Sequence, residues 1–252
     1  MNILDVIILG VIQGLTEFLP VSSSGHLVLG QYFLNVKSPG NTLEILFHIG
    51  TLCSVIFVFF PDIIKILTTI KEKSTQKILM YIFVATIPAV ITGIMLRNKI
   101  EVLFESVNSV GVALIFTGLF LLLPTIFKNK NSKYSLFSSI VIGLGQALAI
   151  IPGISRSGMT ITLSLLLGFS PKESAKFSFL LSIPVITGAG VLGIQDIPSS
   201  EMFSADIIIA AILSSFFVGI IALKMLLKLL EIGKFYTFGI YCICLGIISI
   251  FI

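Results

Sequence analysis

The sequence predicts a polytopic all-α membrane protein built as an inverted-topology repeat. Of its 252 residues, 56% are hydrophobic and only 11% are charged, and the mean hydropathy is +1.12. Soluble domains carry about 25% charged residues. The apolar runs are long and lack an alternating ten-residue pattern, which favours helices over a transmembrane barrel.

Two polar stretches repeat each other within this apolar chain. The first, QGLTEFLPVSSSGH, begins at Gln13, and the second, QALAIIPGISRSGMT, begins at Gln146. Aligning the two pairs Gln13 with Gln146, Ser22 with Ser155, Ser24 with Ser157 and Gly25 with Gly158. Polar groups in hydrocarbon cost several kcal/mol unless they are satisfied, so the repeated stretches form the candidate functional site.

Each copy predicts a re-entrant hairpin of two short helices. The first hairpin has helices at about 3–18 and 26–34, and the second at about 136–151 and 159–168. A span needs about 20 apolar residues, so none of these pieces crosses a bilayer alone. Irregular backbone at membrane depth is tolerated only where it is buried in protein or lines a wet cavity.

About six full transmembrane helices are predicted between and after the hairpins. They lie at about 43–60, 78–96, 107–126, 177–194, 207–227 and 235–252, and a basic loop follows Pro61. Pro88 and Pro184 have similar surroundings and are interpreted as kinks. The chain is therefore predicted to be a single membrane domain, with halves of about 1–126 and 136–252 linked by a basic cytoplasmic loop.

Lysine distribution predicts the orientation. If both hairpins return to their own face, one side of the membrane receives Lys65, Lys71, Lys73, Lys77, Lys128, Lys130, Lys133, Lys172, Lys176, Lys224, Lys228 and Lys234. The other side receives Lys37, Arg97 and Lys99, and a loop with Asp196, Glu201 and Asp206. Cytoplasmic loops are rich in Lys and Arg, so the first side is cytoplasmic and the two hairpins enter from opposite faces.

The remaining composition excludes several classes of protein. The net charge of +4 and the pI near 9.0 arise from lysines between spans, so topology explains them and no nucleic-acid partner is expected. Cys53, Cys242 and Cys244 lie in apolar runs, which predicts buried reduced thiols without a disulfide or a metal cluster. No Lys or Arg precedes Lys37, so no targeting sequence is expected.

The meeting point of the two hairpins is the predicted site. In transporters with inverted repeats, half-helix N-termini point at anionic groups near the midplane. The point would gather Gln13, Glu17, Ser22, Ser23, Ser24, His26, Ser155, Arg156, Ser157 and Thr160. One carboxylate, one imidazole, one guanidinium and several hydroxyls suit a phosphorylated ligand.

Arg156 and its neighbours favour phosphate binding. The planar guanidinium suits bidentate contact with phosphate oxygens, although Arg156 could instead form an internal ion pair with Glu17. Gly153 and Gly158 would let the backbone approach a ligand, and the amides that open the helix after Ser157 would form an anion site.

The remaining polar residues admit more than one role. Glu17 could hold a divalent cation, orient a water or act as a general base. His26 could be an acid or base, or a hydrogen-bonded core residue. Ser23 could attack phosphorus, or the serines could cap the turn. Glu44 and His48, four residues apart, could face the same cavity, pair with each other or snorkel to the interface.

These stretches resemble the bacterial undecaprenyl-diphosphate phosphatase family of the BacA type. Position by position, the family's (E/Q)xxxE motif falls on Gln13 and Glu17, and its serine-histidine motif on Ser22, Ser23 and His26. Its PGxSRSxxT motif falls on Pro152, Gly153, Ser155, Arg156, Ser157 and Thr160. LFHIGT after the first hairpin extends the resemblance, which covers nearly the whole chain.

The resemblance implies hydrolysis of the C55 isoprenoid diphosphate to its monophosphate. That reaction recycles the lipid carrier for peptidoglycan synthesis and confers resistance to bacitracin. It also implies a divalent cation, Mg²⁺ or Ca²⁺, and work at the outer face of the plasma membrane. This chain has Gln13 where many members carry Glu, so Glu17, with lipid phosphates, would be the principal metal ligand.

The resulting hypothesis is that Arg156 and the helix after Ser157 clamp the diphosphate while Glu17 positions a cation. Ser23 or a water then attacks the terminal phosphorus, and His26 passes protons. A transporter or flippase of the polyprenyl phosphate carrier is the alternative, because inverted repeats fit it equally well. The acid-phosphatase-like lipid phosphatases are rejected, since no His follows SRS. A homodimer is left open.

Overall fold

The computed structural model describes residues 2–36, 42–104, 107–125, 132–194 and 203–251, and the side chains of these residues except 97–104 and 194. These ranges contain helices and no strand. The helices are α1 Ile3–Phe18, α2 Ser23–Leu34, α3 Thr42–Val58, α4 Phe60–Thr68, α5 Lys73–Phe104, α6 Val107–Leu122, α7 Leu136–Leu148, α8 Arg156–Leu166, α9 Pro171–Ile194, α10 Ala205–Glu231 and α11 Tyr236–Ile250. The all-α prediction is confirmed.

Four helices in the described ranges are long and apolar enough to cross a membrane. They run over Lys73–Leu96, Val107–Thr125, Pro171–Gly193 and Ala205–Glu231. Together α3 and α4 make a fifth candidate, bent by 69°. The predicted sixth span, α11, is apolar but has only 15 residues.

Helix α4 begins at Phe60, the last residue of the predicted span 43–60, and continues where the sequence predicts a basic loop, so the loop prediction is wrong for residues 61–68. Pro61 was interpreted as the end of a span, yet it lies in the first turn of α4. A proline at that position loses no intrahelical hydrogen bond, because the first N–H groups of a helix have no partner in the helix. Pro88 and Pro184 lie inside α5 and α9.

Both short helices of the polar motifs begin three residues earlier than predicted. Ser22 caps α2 by accepting the Gly25 N–H at 3.3 Å, and Ser155 caps α8 by accepting the Gly158 N–H at 3.0 Å. Serine is a favoured N-cap because its side chain satisfies an amide that the helix leaves free. The motif residues after each cap therefore belong to a first helical turn.

The two hairpins open at opposite ends of the helix bundle, as predicted. At one end, Val6 near the start of α1 shares an apolar cluster with Leu43 and Phe47 of α3 and Ala211 of α10, and Leu34 at the end of α2 packs against it. At the other end, the residues before α7 contact those after α8. The Ser132 N–H donates to the Gly168 carbonyl at 3.0 Å, and the Tyr134 ring stacks on that of Phe169.

Helices of the two halves interleave. The first hairpin helix, α1, packs against α10 of the second half, and its counterpart α7 packs against α5 of the first half. Helix α6 packs along α11, and α3 contacts α9. Four of the five buried apolar clusters in the described residues contain side chains from both halves.

The lysine-rich segments meet at the end where the second hairpin opens. Phe59 before α4, Ala175 of α9, Leu230 of α10 and Phe235 before α11 lie in one apolar cluster there. Lys176 forms an ion pair with Asp62 of α4 at the same end. Lys37, Lys128, Lys130, Asp196 and Glu201, which entered the charge argument, lie outside the described residues.

The cysteine prediction is only partly confirmed. All three thiols are free, as expected, and Cys242 is buried with its Sγ 3.7 Å from the Pro20 carbonyl. Cys53 and Cys244 are exposed on the helix surface, so the prediction of burial is wrong for them. An apolar run in a membrane protein does not distinguish a side that faces lipid from one that faces protein.

Close contact between the hairpin tips predicts a sharp effect of one methyl group. A Cβ on Gly25 would lie 3.1 Å from the Gly153 Cα, and Gly153 has φ +93° with a Cβ position 2.6 Å from the Ala113 Cβ. Gly153→Ala is expected to destabilise the protein by about 1–3 kcal/mol through backbone strain and overlap. Thermal unfolding in detergent measures this loss.

Gly188→Ala is the matched control, because a Cβ there meets nothing within 4 Å and the residue lies inside α9. Alanine is favoured over glycine in a helix interior, so this variant should be at least as stable as the parent. Equal melting temperatures for the two variants would contradict the packing described for the tips.

Candidate active site

Two helix N-termini meet at the centre of the bundle. Helices α2 and α8 begin at Ser23 and Arg156, and the Ser157 hydroxyl of α8 donates to the Leu19 carbonyl of the other hairpin at 3.3 Å. Free N–H groups and the helix dipole make each N-terminus a partial positive charge. Two such ends at one point favour an anion.

Glu17 is the centre of the hydrogen-bond network. Its side chain is 6% exposed, and Oε1 accepts a bond from Arg156 Nη2 at 2.7 Å. Oε2 accepts from the Ser23 hydroxyl at 2.6 Å and from Gln13 Nε2 at 3.0 Å. One carboxylate thus connects α1, α2 and α8.

Arg156 keeps a donor that no protein group uses. Its Nη2 contacts Glu17, whereas Nη1 is buried and has no hydrogen-bond partner within the described part of the chain. Leaving a buried charged donor unsatisfied costs more than the 1–3 kcal/mol typical of a neutral group. The two roles weighed for Arg156, ion pairing and ligand binding, are therefore compatible.

A cavity of about 310 Å³ lies against these groups. Its polar lining includes Thr16, Glu17, Ser22, Ser23, Ser24, Glu44, His48, Ser155 and Arg156. Its apolar lining includes Ile45, Ile150, Ile154, Val185, Ile186 and Ala189. A few convergent polar groups on an apolar wall are typical of a small-molecule site, and the volume is at the lower end of that range.

Five residues predicted to contact substrate lie behind the cavity wall. They are Gln13, Gly153, Ser157, Gly158 and Thr160, none of which lines the cavity. Thr160 donates to the Arg156 carbonyl at 2.9 Å and lies 2.6 Å from the Ser178 hydroxyl, so it anchors α8 to α9. Gly153 is packed against α6. None of the five lines the cavity, and their direct contact with substrate stays a prediction.

His26 also lies away from the cavity lining. Its Nδ1 is 2.7 Å from the Ser22 carbonyl, which can only accept, so Nδ1 carries the hydrogen and Nε2 accepts from the Tyr241 hydroxyl at 2.8 Å. Ser22 has φ +69°, a conformation that residues with a Cβ rarely adopt. The imidazole therefore holds a strained turn, and Tyr241, in an apolar run, had no sequence signal.

The four-residue spacing of Glu44 and His48 left open whether they face one cavity, pair with each other or snorkel to the interface. The structure shows the first, because both side chains line the cavity. His48 Nδ1 lies 3.1 Å from Gln13 Nε2 and 3.6 Å from Glu17 Oε2. The His48 side chain is 35% exposed. Helix α3 thus adds a second histidine and a second carboxylate to the site.

The donor set limits how a metal could bind. Among the described residues no group of three or more His, Cys, Asp or Glu side chains could hold a metal ion. Both oxygens of Glu17 already accept hydrogen bonds. Mg²⁺ commonly binds through one or two carboxylates together with substrate phosphates, and the residues fit a cation only in that mode.

Fold and site together define a class: a polytopic membrane protein whose two opposed re-entrant hairpins bring two helix N-termini and a buried ion pair to one cavity. Residues 6–248 match the model of the family described as bacitracin resistance protein BacA, and the chain belongs to that family.

Three relatives that match over nearly their full length carry the same name. The undecaprenyl-diphosphatase of Halothermothrix orenii is 43% identical and the match covers 99% of this chain and 98% of the relative. Proteins of the same name from Desulforapulum autotrophicum and Moorella thermoacetica are each 38% identical, with 99% and 100% of this chain covered and 98% of each relative.

Replacements at His26 distinguish a structural role from proton transfer. His26→Asn keeps a donor near the position of Nδ1 and should retain a stable turn and most activity. His26→Leu removes the bond to the Ser22 carbonyl and should lower stability by about 1–3 kcal/mol. Melting temperature and phosphate release measure the two effects, and equal loss of activity in both stable variants would support proton transfer.

Proposed function

We propose that this protein hydrolyses undecaprenyl diphosphate to undecaprenyl phosphate and phosphate. The reaction would recycle the lipid carrier for peptidoglycan synthesis and confer resistance to bacitracin. The observation that carries the proposal is the Glu17 carboxylate bonded at once to Arg156 and Ser23 at a cavity edge. The name undecaprenyl-diphosphatase, which the three relatives above carry, supports this substrate class.

Substrate binding begins with the diphosphate charge. Arg156 Nη1 would donate to a phosphate oxygen while Nη2 stays on Glu17, so the ligand satisfies a donor that is otherwise unpaired. Ser24 and Ser155 line the same cavity and add hydroxyl donors beside the two helix N-termini. Fixed donors in a site of low polarity stabilise developing charge better than water does.

The short bond between Ser23 and Glu17 supports Ser23 as the nucleophile. At 2.6 Å, Glu17 Oε2 can take the hydroxyl proton as Ser23 Oγ attacks the terminal phosphorus. The new Oγ–P bond replaces the bond to the bridging oxygen, which leaves with its electron pair on undecaprenyl phosphate. Once Glu17 has passed that proton to the departing phosphate oxygen, its carboxylate would take a proton from a water that attacks the phosphoserine. The Oγ–P bond breaks, phosphate is released, and Ser23 Oγ regains a proton from Glu17.

A divalent cation, Mg²⁺ or Ca²⁺, would be held between the Glu17 carboxylate and oxygens of the diphosphate. When bound, it would neutralise phosphate charge. Arg156 and the helix N-termini remain the chain's own contribution to that neutralisation.

The active site is proposed to open to the extracytoplasmic side of the plasma membrane. Glu44, near the start of α3, and Gly193, near the end of α9, line the cavity. Both lie toward the end of the bundle opposite the lysine-rich segments around Asp62 and Lys176. Cytoplasmic ends are rich in lysine, which supports this orientation.

A phosphate-release assay on undecaprenyl diphosphate tests the function. The purified protein should release phosphate, and a chelator should abolish the release if the cation is needed. Arg156→Ala and Glu17→Ala should each lose about a hundredfold or more, since each removes a charge that acts on the reacting phosphate. Lys224→Ala changes an exposed lysine and serves as the charge control.

The alternative is a flippase of the polyprenyl phosphate carrier, which the interrupted helices equally suit. Sealed vesicles separate the two functions. Translocation of the lipid without any phosphate release would overturn the phosphatase, whereas release by detergent-solubilised protein requires no translocation.

Ser23→Ala should reduce turnover about a thousandfold or more, because it removes the attacking oxygen. Labelling with substrate that carries ³²P in the terminal phosphate should trap a phosphoserine in the parent protein after rapid acid quenching. Ser24→Ala is the comparison, since Ser24 lines the same cavity without contacting Glu17: it removes a hydroxyl donor to the ligand, which should raise KM, but should still form the phosphoserine. Near-normal turnover of Ser23→Ala would indicate direct attack by water.

A further inference from the structure

We propose that His48 is a substrate-contacting hydrogen-bond donor and that Gln13 fixes the tautomer in which it donates. The inference rests on the proposed function, because its ligand is the diphosphate in the same cavity. His48 lies on α3 and lines the cavity together with Arg156 of α8. A donor on α3 would extend the phosphate contacts to a third helix.

The orientation of the Gln13 amide follows from its neighbours. Glu17 Oε2, an acceptor when ionised, lies 3.0 Å from one end of the amide, so that end must be the nitrogen. The opposite end, Oε1, is buried without a partner in the described residues. An unsatisfied carbonyl is tolerated there because the reversed amide would set oxygen against the carboxylate.

The same nitrogen determines the state of His48. Gln13 Nε2 has two hydrogens, and one of them reaches His48 Nδ1 at 3.1 Å. Nδ1 accepts in this contact, because a hydrogen on Nδ1 would face the N–H of Gln13. A neutral imidazole that accepts at Nδ1 carries its hydrogen on Nε2.

The donor edge of His48 is thus free for a ligand. Nδ1 faces the buried amide of Gln13, which is 0% exposed, so Nε2 lies on the other edge of a ring that is 35% exposed at the cavity. Within the described residues, Nε2 has no hydrogen-bond partner. Its N–H would donate to a phosphate oxygen of the bound diphosphate.

Two replacements test the contact with the ligand. His48→Gln can place an amide N–H near the position of Nε2, so it should stay within about threefold of the parent in kcat/KM. His48→Leu has no donor and should lose about tenfold or more. Equal, large losses in both variants would overturn the donor role in favour of proton transfer, and unchanged turnover of His48→Leu would overturn the contact.

Nitrogen NMR tests the tautomer without any assay of activity. The chain has two histidines, so ¹⁵N-histidine labelling gives two sets of ring signals, and His48→Gln identifies those of His48. His48 should show hydrogen on Nε2, whereas His26 should show it on Nδ1. Hydrogen on Nδ1 of His48 would overturn the proposal.

Gln13→Glu tests whether residue 13 sets the tautomer of His48. A carboxylate offers only acceptors to His48 Nδ1, so hydrogen should move to Nδ1 or the ring should become an imidazolium. Unchanged His48 signals in this variant would show that Gln13 does not set the tautomer.

Adding a non-hydrolysable methylene bisphosphonate of a short prenyl alcohol should shift the His48 Nε2–H signal of the parent protein, and no shift at saturation would overturn the contact. If the parent protein releases no phosphate, the proposed function is rejected instead. The NMR signals would still report the tautomer of His48, because they do not depend on activity.

Discussion

A buried carboxylate inside a membrane needs partners, and Glu17 obtains them from both halves of the protein. Gln13 and Ser23 come from the first hairpin and Arg156 from the second. Removing one partner of a buried ion pair typically costs about 3–5 kcal/mol, because the other charge stays buried alone. This requirement brings the tips of the two hairpins together and makes the rest of the site possible.

The inverted arrangement of the two hairpins sets the electrostatic surroundings of the Glu17–Arg156 ion pair. Since the hairpins open at opposite ends of the bundle, the helices that begin at Ser23 and Arg156 both start near its centre. Their N-termini add partial positive charge where Arg156 already carries a full one. The Glu17 carboxylate is already held by Arg156 and Ser23, so the unpaired Nη1 of Arg156 and the two helix N-termini favour an anionic ligand.

The site consists of groups that face the cavity and groups that hold them. Ser23, Arg156 and His48 line the cavity, whereas Thr160 fixes α8 against α9 and His26 holds the turn at Ser22. Both kinds of residue fall within the same short motifs. A motif therefore identifies the region of a site, but its residues do not all line the cavity.

The sequence alone determined the fold class, the two hairpins and the meeting of Glu17 with Arg156. These conclusions rest on strong local signals: long apolar runs, a repeated polar motif, and the cost of polar groups in hydrocarbon. The serine caps at Ser22 and Ser155 follow from the same local chemistry.

Only the tertiary structure decided which way each side chain faces. Helix α4, the exposed Cys53, the contact of His26 with Tyr241 and the cavity face of His48 all depend on packing between segments distant in the chain. In a membrane protein the apolar faces toward lipid and toward protein have similar composition, so hydropathy cannot separate them. The partners of a polar side chain are set by how the helices pack, and that arrangement is not encoded in any local stretch.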